Sequence, residues 1–566
     1  MLVRSTFVFS PRFLRARVQD AKETGQTAAH GVVRFGTYAG LGVVVGLAVV
    51  LLESVSALTL LDRLLEAPPL VQAILPGLGL TVAALVLRLG WRTNAATSDL
   101  YVRAFHTGEE LEGRRLLPKL GAAAATIGAG GAVGLEGPSI YAGASLGQWL
   151  GRRQLASLGQ RSPRILLVAG AAAGVAAVFK APATGVLFAL ESPYRRDVAR
   201  HALIPALVAS AAAYLVFAFA LGTDPLLPIR SPDLGLTSEL SAAILLGVLG
   251  GVTARGLAML FHWAKSQHAN FSLPVRIGIA GLVLAGALWA SLALVDEPVT
   301  LGPGAETVTR IVLDPHLSVW VVIALFGLRA VATTATLSAG GVGGVFIPLV
   351  VQGLLLGRVV EILFSQPSSG LYPVVGLAAV LGAGYRTPLA AVMFVAETTG
   401  RAEFVIPALL ATAVSQALMG EVSVSSGQQG ERQGQLERRL EMRADAVTVR
   451  HIGTVGSDAL LLDVVDHIER FDSSPAVPVL DGSYAGLLVL HDIANVILER
   501  GPDAVVADAV RDVPAVRAHD PAMAAARLMN AHDVAAVAVV DDDDQPIGII
   551  SAVSLAGLRD LGGRDD

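Results

Sequence analysis

The chain has 566 residues, of which 53% are hydrophobic and only 16% charged, with a mean hydropathy of +0.61. That is more apolar than a soluble core of this length needs, which excludes an ordinary water-soluble globule and points to a polytopic membrane protein. Cysteine is absent, which excludes disulfides and thiolate metal sites.

Residues 1–35 carry Arg4, Arg12, Arg15, Arg17 and Lys22 ahead of the first apolar run. By the positive-inside rule this is a cytosolic N-terminal segment. It does not read as a signal peptide, because the apolar run starts too late and is too long for an h-region. Apolar stretches then recur over 36–422, several of them reaching the roughly 20 residues that a helix needs to cross a bilayer. An all-α polytopic membrane domain is predicted there.

Within that domain the chain repeats itself. Gly134-Leu-Glu-Gly-Pro138, followed by Gly143 and Gly147, returns as Gly344-Val-Phe-Ile-Pro348, followed by Gly353 and Gly357, each at an offset of 210 residues. Lys180-Ala-Pro182 leading to Phe188 and Glu191 returns as Arg386-Thr-Pro388 leading to Phe394 and Glu397, at an offset of 206. Two related halves are expected, at about 36–225 and 238–420. Repeats of this kind in transporters are often inverted, with a site at their interface where broken helices aim their N-termini at an anion. The sequence displays the repetition, not the inversion. Each GxxxP element suits a helix start inside the bilayer. Proline in the first turn lacks an N–H that would be orphaned anyway, the glycines let backbone approach an ion, and the positive helix end favours an anion. The competing reading of such glycines is close helix packing.

Glu136 is the sole acid between Leu120 and Leu150. An intramembrane carboxylate is costly and marks a functional site, here a gate, unless a basic neighbour pairs with it. Glu191 and Glu397 read instead as hydrogen-bond acceptors at helix ends.

Beyond residue 422 the character changes. Residues 423–442 include a Ser-, Gly- and Gln-rich stretch that reads as a linker, and 441–566 hold 22 acidic against 9 basic residues. The tail is an acidic soluble domain on a basic membrane body. In it, Ala476-Val-Pro-Val-Leu-Asp-Gly with Gly486-Leu-Leu-Val is followed by Val537-Ala-Val-Val-Asp541 with Gly548-Ile-Ile-Ser. Short apolar strands split by turns and preceded by helix-like stretches predict a small α/β repeat. The acid run Asp541 to Asp544 reads as a solvated turn.

These motifs carry a resemblance. Gly134 to Pro138 resembles the GREGP signature of the CLC chloride channels and proton-coupled antiporters, Gly344 to Pro348 resembles their GxFxP signature, and Lys180 to Glu191 resembles a third conserved stretch. The two tail units resemble a tandem CBS pair, about 443–500 and 505–562 within 443–566. The resemblance implies a CLC fold of two inverted repeats, a homodimer with one pathway per subunit, a multi-pass protein of the cell membrane with both termini cytosolic, and chloride as the transported ion, with protons as a second partner. It implies that Glu136 gates the pathway in response to pH or voltage, and that backbone N–H groups around Leu135, Glu136 and Gly137, and at Val345 and Phe346, coordinate the anion.

The chain also departs from the family. Leu135 stands where the family has Arg or Lys. For the inner hydroxyl ligand Thr97 is preferred, with Ser98 as the alternative. No Tyr lies between Tyr385 and Tyr484, so the family's inner Tyr has no counterpart by spacing, and Ser425 falls near its position. Ser192 replaces the glutamate that relays protons in many antiporters, which favours a channel, but some coupled members also lack that glutamate, so channel and proton-coupled antiporter both stay open. In the tail, the positions that bind the ribose of an adenine nucleotide are Val489 with Asp492 and Ser551 with Ser554, each half complete, so a structural role is the expectation. No cofactor is expected. An HExxH metalloprotease is excluded by the absence of that motif. A CBS-regulated divalent-cation transporter would need carboxylates deep in the membrane half. Fluoride or nitrate remains the alternative anion.

Overall fold

The computed structural model describes residues 11–158, 164–223, 226, 227, 229, 236–364, 370–431, 439–450, 453–466 and 475–556, with side chains described except at 11–31, 154–158 and 236–239. It divides into two units, Met1–Glu431 and Arg432–Asp566.

The first unit is helical. Among its described residues, eight helices are long and apolar enough to cross a membrane, from Val32–Leu65 to Ala402–Met419. Ten helices position the site and are numbered here in chain order. The first repeat supplies α1 (Ser98–Thr107), α2 (Leu116–Gly128), α3 (Glu136–Leu158), α4 (Arg164–Phe179) and α5 (Pro182–Glu191). The second supplies their counterparts α6 (Ala305–Val312), α7 (Val319–Ser338), α8 (Phe346–Leu363), α9 (Leu371–Tyr385) and α10 (Pro388–Thr399). The 10 residues of α5 rise only about 15 Å, half a bilayer. Such a helix must start or stop inside the protein.

Reciprocal hydrogen bonds show that the repeats are inverted. Glu191, at the C-terminal end of α5, accepts from the Leu389 and Ala390 N–H groups that open α10, at 3.2 and 2.9 Å. Glu397, near the C-terminal end of α10, accepts from the Ala183 and Thr184 N–H groups that open α5, at 2.9 and 2.8 Å, and from the Thr184 hydroxyl at 2.7 Å. Each helix is capped by its neighbour's tail, so the two run antiparallel, and a repeat unit followed by its copy must cross the membrane in opposite senses. The same exchange recurs beside α3 and α8. The Thr126 hydroxyl accepts from Val342 N–H, and the Thr336 hydroxyl from Ala132 N–H, both at 3.1 Å. Gly134 and Gly344 exchange N–H···O bonds of 3.0 and 2.8 Å across an antiparallel bridge.

Glycine allows the close crossings. A Cβ on Gly143 of α3 or Gly170 of α4 would lie 1.9 Å from the other's carbonyl oxygen, and one on Gly353 of α8 would lie 2.6 Å from the Gly376 oxygen of α9. Gly143, Gly147, Gly353 and Gly357 therefore serve helix packing, whereas Gly134 and Gly344 face the Glu136 carboxylate and Gly137 faces the Thr97 hydroxyl. The stretch read as a linker also divides. Residues up to 431 belong to the membrane unit, because Val424 N–H bonds Gly384 O at 2.8 Å, and the buried Gln428 donates to the Ser192 and Tyr385 carbonyls. Small polar side chains that satisfy buried carbonyls imitate linker composition.

The second unit holds two sheets of like construction. β1 (Val455–Gly456) pairs in parallel with β2 (Ala476–Asp481), which pairs antiparallel with β3 (Ser483–Val489), and β4 (Val510–Arg511) closes the edge. β5 (Val516–Arg517), β6 (Ala536–Val540) and β7 (Pro546–Ser551) repeat the parallel-then-antiparallel order. A bulge falls at Val479/Leu480 in one and Val539/Val540 in the other, each opposite a positive-φ glycine, Gly486 at 148° and Gly548 at 155°.

The crossed caps predict a stability test. Glu397→Ala strands two partly buried N–H groups and a hydroxyl, and thermal unfolding of the full chain in detergent should show a loss of about 2–4 kcal/mol. Glu397→Gln keeps one acceptor oxygen and should lose less.

Candidate functional site

Two helix starts meet at the pseudo-two-fold. Glu136 is the first residue of α3 and Phe346 the first of α8, 210 residues apart, and the Gly134–Gly344 bridge holds the two segments together. Phe346 N–H donates to Glu136 Oε1 at 2.6 Å. The carboxylate lies among the N–H groups of Glu136 itself, Phe346 and Ile347. It is 1% exposed, and its Oε2 has no hydrogen-bond partner among the described residues. Among the described residues, no basic neighbour pairs with it as a structural ion pair would require: the groups that stabilise the charge are backbone amides. A Cβ on Gly344 would stand 2.2 Å from Oε1, and one on Gly134 would collide with Oε2. Only glycine leaves room for the carboxylate at either wall.

Beside the carboxylate opens a cavity of about 860 Å³, lined among others by Thr97, Ser98, Gly344, Val345 and Tyr385. Thr97 is the N-cap residue of α1, yet its hydroxyl makes no capping bond and lies 2.5 Å from where a Gly137 Cβ would stand. Thr97, Ser98, Gly137, Val345 and Phe346 are thus gathered around Glu136. Leu135 contributes backbone to the same turn, its carbonyl accepting from Ser139 N–H and Oγ, while its side chain is buried in the core.

Ser425 is placed elsewhere. Its hydroxyl approaches Asp99 Oδ1 at 3.4 Å, beside the Ser426 N–H at 2.9 Å. Asp99 is also ion-paired with Lys265 at 3.0 Å. Where Ser98 and Val345 line the cavity together, at its neck, the hydroxyl present is that of Tyr385, the last residue of α9, which approaches the Ser98 side chain and the Val345 N–H. Its ring packs on Phe188 and Phe346, at centroid distances of 5.1 and 6.0 Å, within a cluster that includes Phe179 and Phe394. A search by spacing after Tyr385 passes over it. The signal lay in comparing the repeats: Phe179-Lys180-Ala-Pro182 corresponds to Tyr385-Arg386-Thr-Pro388, so the second copy carries a hydroxyl where the first has a plain ring. Farther out the cavity is basic. Arg88, Arg92, Lys265, His268 and Arg276 line it against one acid, the already paired Asp99.

The arrangement offers a dehydrated seat, walled by amides and hydroxyls, that a carboxylate occupies and a small anion of the same charge can contest. In the second unit the suggested nucleotide anchors are engaged internally. Asp492 is paired with Arg511 Nε and Nη2 at 2.7 Å, and Ser551 and Ser554 bond each other's backbone N–H at 3.2 and 2.9 Å.

Tyr385→Phe removes the hydroxyl at the neck. Because a hydrogen bond to a charged group contributes about 1.5–3 kcal/mol, it should weaken binding of a small anion such as a halide at the seat by roughly tenfold in titration calorimetry.

Comparison with known proteins adds family evidence. A model described as "Voltage gated chloride channel" matches residues 78–420, and a model of the CBS domain matches residues 506–558. The putative chloride channel protein ClcB-like of Ralstonia nicotianae is 29% identical over 352 residues, covering 60% of this chain and 80% of that one. The H(+)/Cl(-) exchange transporter ClcA of Salmonella typhimurium is 28% identical over 316 residues, covering 52% of this chain and 64% of its own length. The crystal structure of a slow cyanobacterial Cl-/H+ antiporter superposes with a TM-score of 0.61 at 21% identity, over 69% of this chain and 96% of that one.

Proposed function

This chain belongs to the voltage-gated chloride channel family and is a multi-pass membrane protein, and from that premise we propose that it moves chloride across a membrane through a pathway gated by Glu136. The observation that carries the reading is the seat itself: an unpaired carboxylate held by the Phe346 N–H, where two inverted helix starts converge. Ionised, Glu136 occupies the anion's position. Protonation removes the charge that the amides attract, so the side chain releases the seat and chloride enters. Fixed amides replace the ion's water, and the small hydroxyl groups of Thr97, Ser98 and Tyr385 form the inner boundary.

The charge of the loops supports a cytosolic cavity face and hence cytosolic termini. Arg88, Arg92, Lys265 and Arg276 sit at the cavity. The connection after the first span, residues 66–68, and the one after Leu273–Val295, residues 296–304, instead hold no Lys or Arg. That is the asymmetry of the positive-inside rule. The C-terminal unit, with its repeated strand order, reads as a tandem CBS pair. With Asp492 and the Ser551–Ser554 pair engaged internally, its part is structural, in keeping with a homodimer, rather than adenine-nucleotide binding.

Protons compete for the same carboxylate, so flux should depend on pH. Ser192 lacks the carboxylate that a second proton acceptor beside Glu191 would need; its buried Oγ faces Tyr101. In liposomes, wild-type chloride flux should rise on acidification. In Glu136→Gln that dependence should flatten, with the reversal potential at the chloride equilibrium value whatever the proton gradient. Unchanged pH dependence in the variant would remove Glu136 from the gate. A wild-type reversal potential displaced from the chloride value identifies exchange, and one resting on it identifies conduction.

A further inference from the structure

Lys119 in α2 and Arg329 in α7 stand 210 residues apart, the offset of the repeats, and are 0% and 1% exposed. Lys119 Nζ donates to Asn94 O at 2.6 Å, Asn94 Oδ1 at 3.2 Å and Ala96 O at 2.5 Å. Arg329 Nη1 donates to Val299 O at 3.1 Å and Gly302 O at 3.0 Å, and Nη2 to Pro303 O at 2.7 Å. Each cation thus holds, through carbonyls, the loop that runs into the start of a short helix: Thr97 and α1 for Lys119, Gly304 and α6 for Arg329. Among the described residues neither is ion-paired with a carboxylate. The charged neighbour of Lys119 is Arg115, a like charge, and the ring of Tyr141 lies 5.1 Å from its Nζ. Arg329 Nε is a buried donor without a partner among the described residues.

Carbonyl dipoles satisfy donors but do not cancel a net charge. A buried cation with only neutral partners costs several kcal/mol in a medium that solvates it poorly. If pinning the loops were the whole task, a neutral amide would do it without that cost. Both loops lead to the seat. Residues 94–96 line the cavity next to Thr97. Gly302 N–H bonds Gly130 O at 3.0 Å, at the start of the turn that ends in Glu136.

We infer that Lys119 and Arg329 are the fixed counter-charges of the transported anion, one on each side of the seat, each setting how strongly the pathway draws chloride from its own face. This rests on the reading of the site as an anion seat. It also accounts for Leu135: a cation beside the seat is dispensable when two buried ones act on it from behind the loops.

The test is chloride dependence of flux in the full-length protein, with chloride varied on one face at a time. Lys119→Gln and Arg329→Gln keep donors and lose the charge, whereas Lys119→Arg and Arg329→Lys keep it. Half-saturating chloride on the cavity face should rise about tenfold in Lys119→Gln, and on the opposite face in Arg329→Gln, with the charge-preserving pair within about twofold of wild type. Wild-type dependence in both glutamine variants overturns the inference. So does an equal loss in the neutral and charge-preserving variants, the signature of a mechanical pin. If one glutamine variant does not fold, the pair at the other position decides on its own face. A wild type without chloride dependence removes the anion-seat reading itself, a result distinct from variants that merely follow the wild type.

Discussion

On the proposed reading of the seat, dehydrating an anion inside a bilayer sets the terms for the membrane unit. A small monovalent ion stripped of water needs several donors at once, and donors in hydrocarbon must come from backbone that regular helices have already committed. Helix starts are the exception, since the first N–H groups of each helix have no partner within it. To bring two such starts to one point, the chain must stop helices inside the protein. It must also hold them there without side-chain bulk. The half-length helix α5, the Gly134–Gly344 bridge and the prolines in the first turns of α3 and α8 are answers to that requirement.

Inversion makes the answer economical, because one folding solution used twice in opposite senses aims both copies at the same place. The crossed carboxylate caps of Glu191 and Glu397 show how tightly the copies are interlocked. Function enters where the symmetry breaks. Position 136 is an acid whose counterpart, 346, is an aromatic ring; position 179 is a phenylalanine whose counterpart, 385, is a tyrosine. In the function proposed above the first difference would be the gate, and the second places a hydroxyl at the neck. Where symmetry is kept, as with Lys119 and Arg329, both faces receive the same device.

Much of this was legible in the chain because the relevant signals are periodic or exceptional. The 210-residue recurrence of Gly-x-x-x-Pro announced the repeat, and one acid in a 31-residue apolar stretch announced Glu136. Inversion was legible only through the family resemblance of the motifs, since orientation is a property of contacts such as the Thr126 and Thr336 exchanges and leaves no mark on composition. For the inner boundary, spacing and contacts point to different residues. Ser425 lies where chain order suggests, but its hydroxyl is drawn to Asp99, and Tyr385 arrives from an earlier helix. The Ser- and Gly-rich stretch after 422 looked like a linker because small polar side chains serve equally in water and in a buried network of carbonyls.

The account stands or falls on whether the Glu136 carboxylate and a halide claim one position. Crystals of the wild type and of Glu136→Gln soaked in bromide and measured at the bromine absorption edge decide this directly. The account predicts an anomalous peak in the variant between the Phe346 N–H and the 134–137 turn that the wild type lacks at neutral pH. Identical bromide positions in the two crystals, with none within reach of those amides, would contradict it.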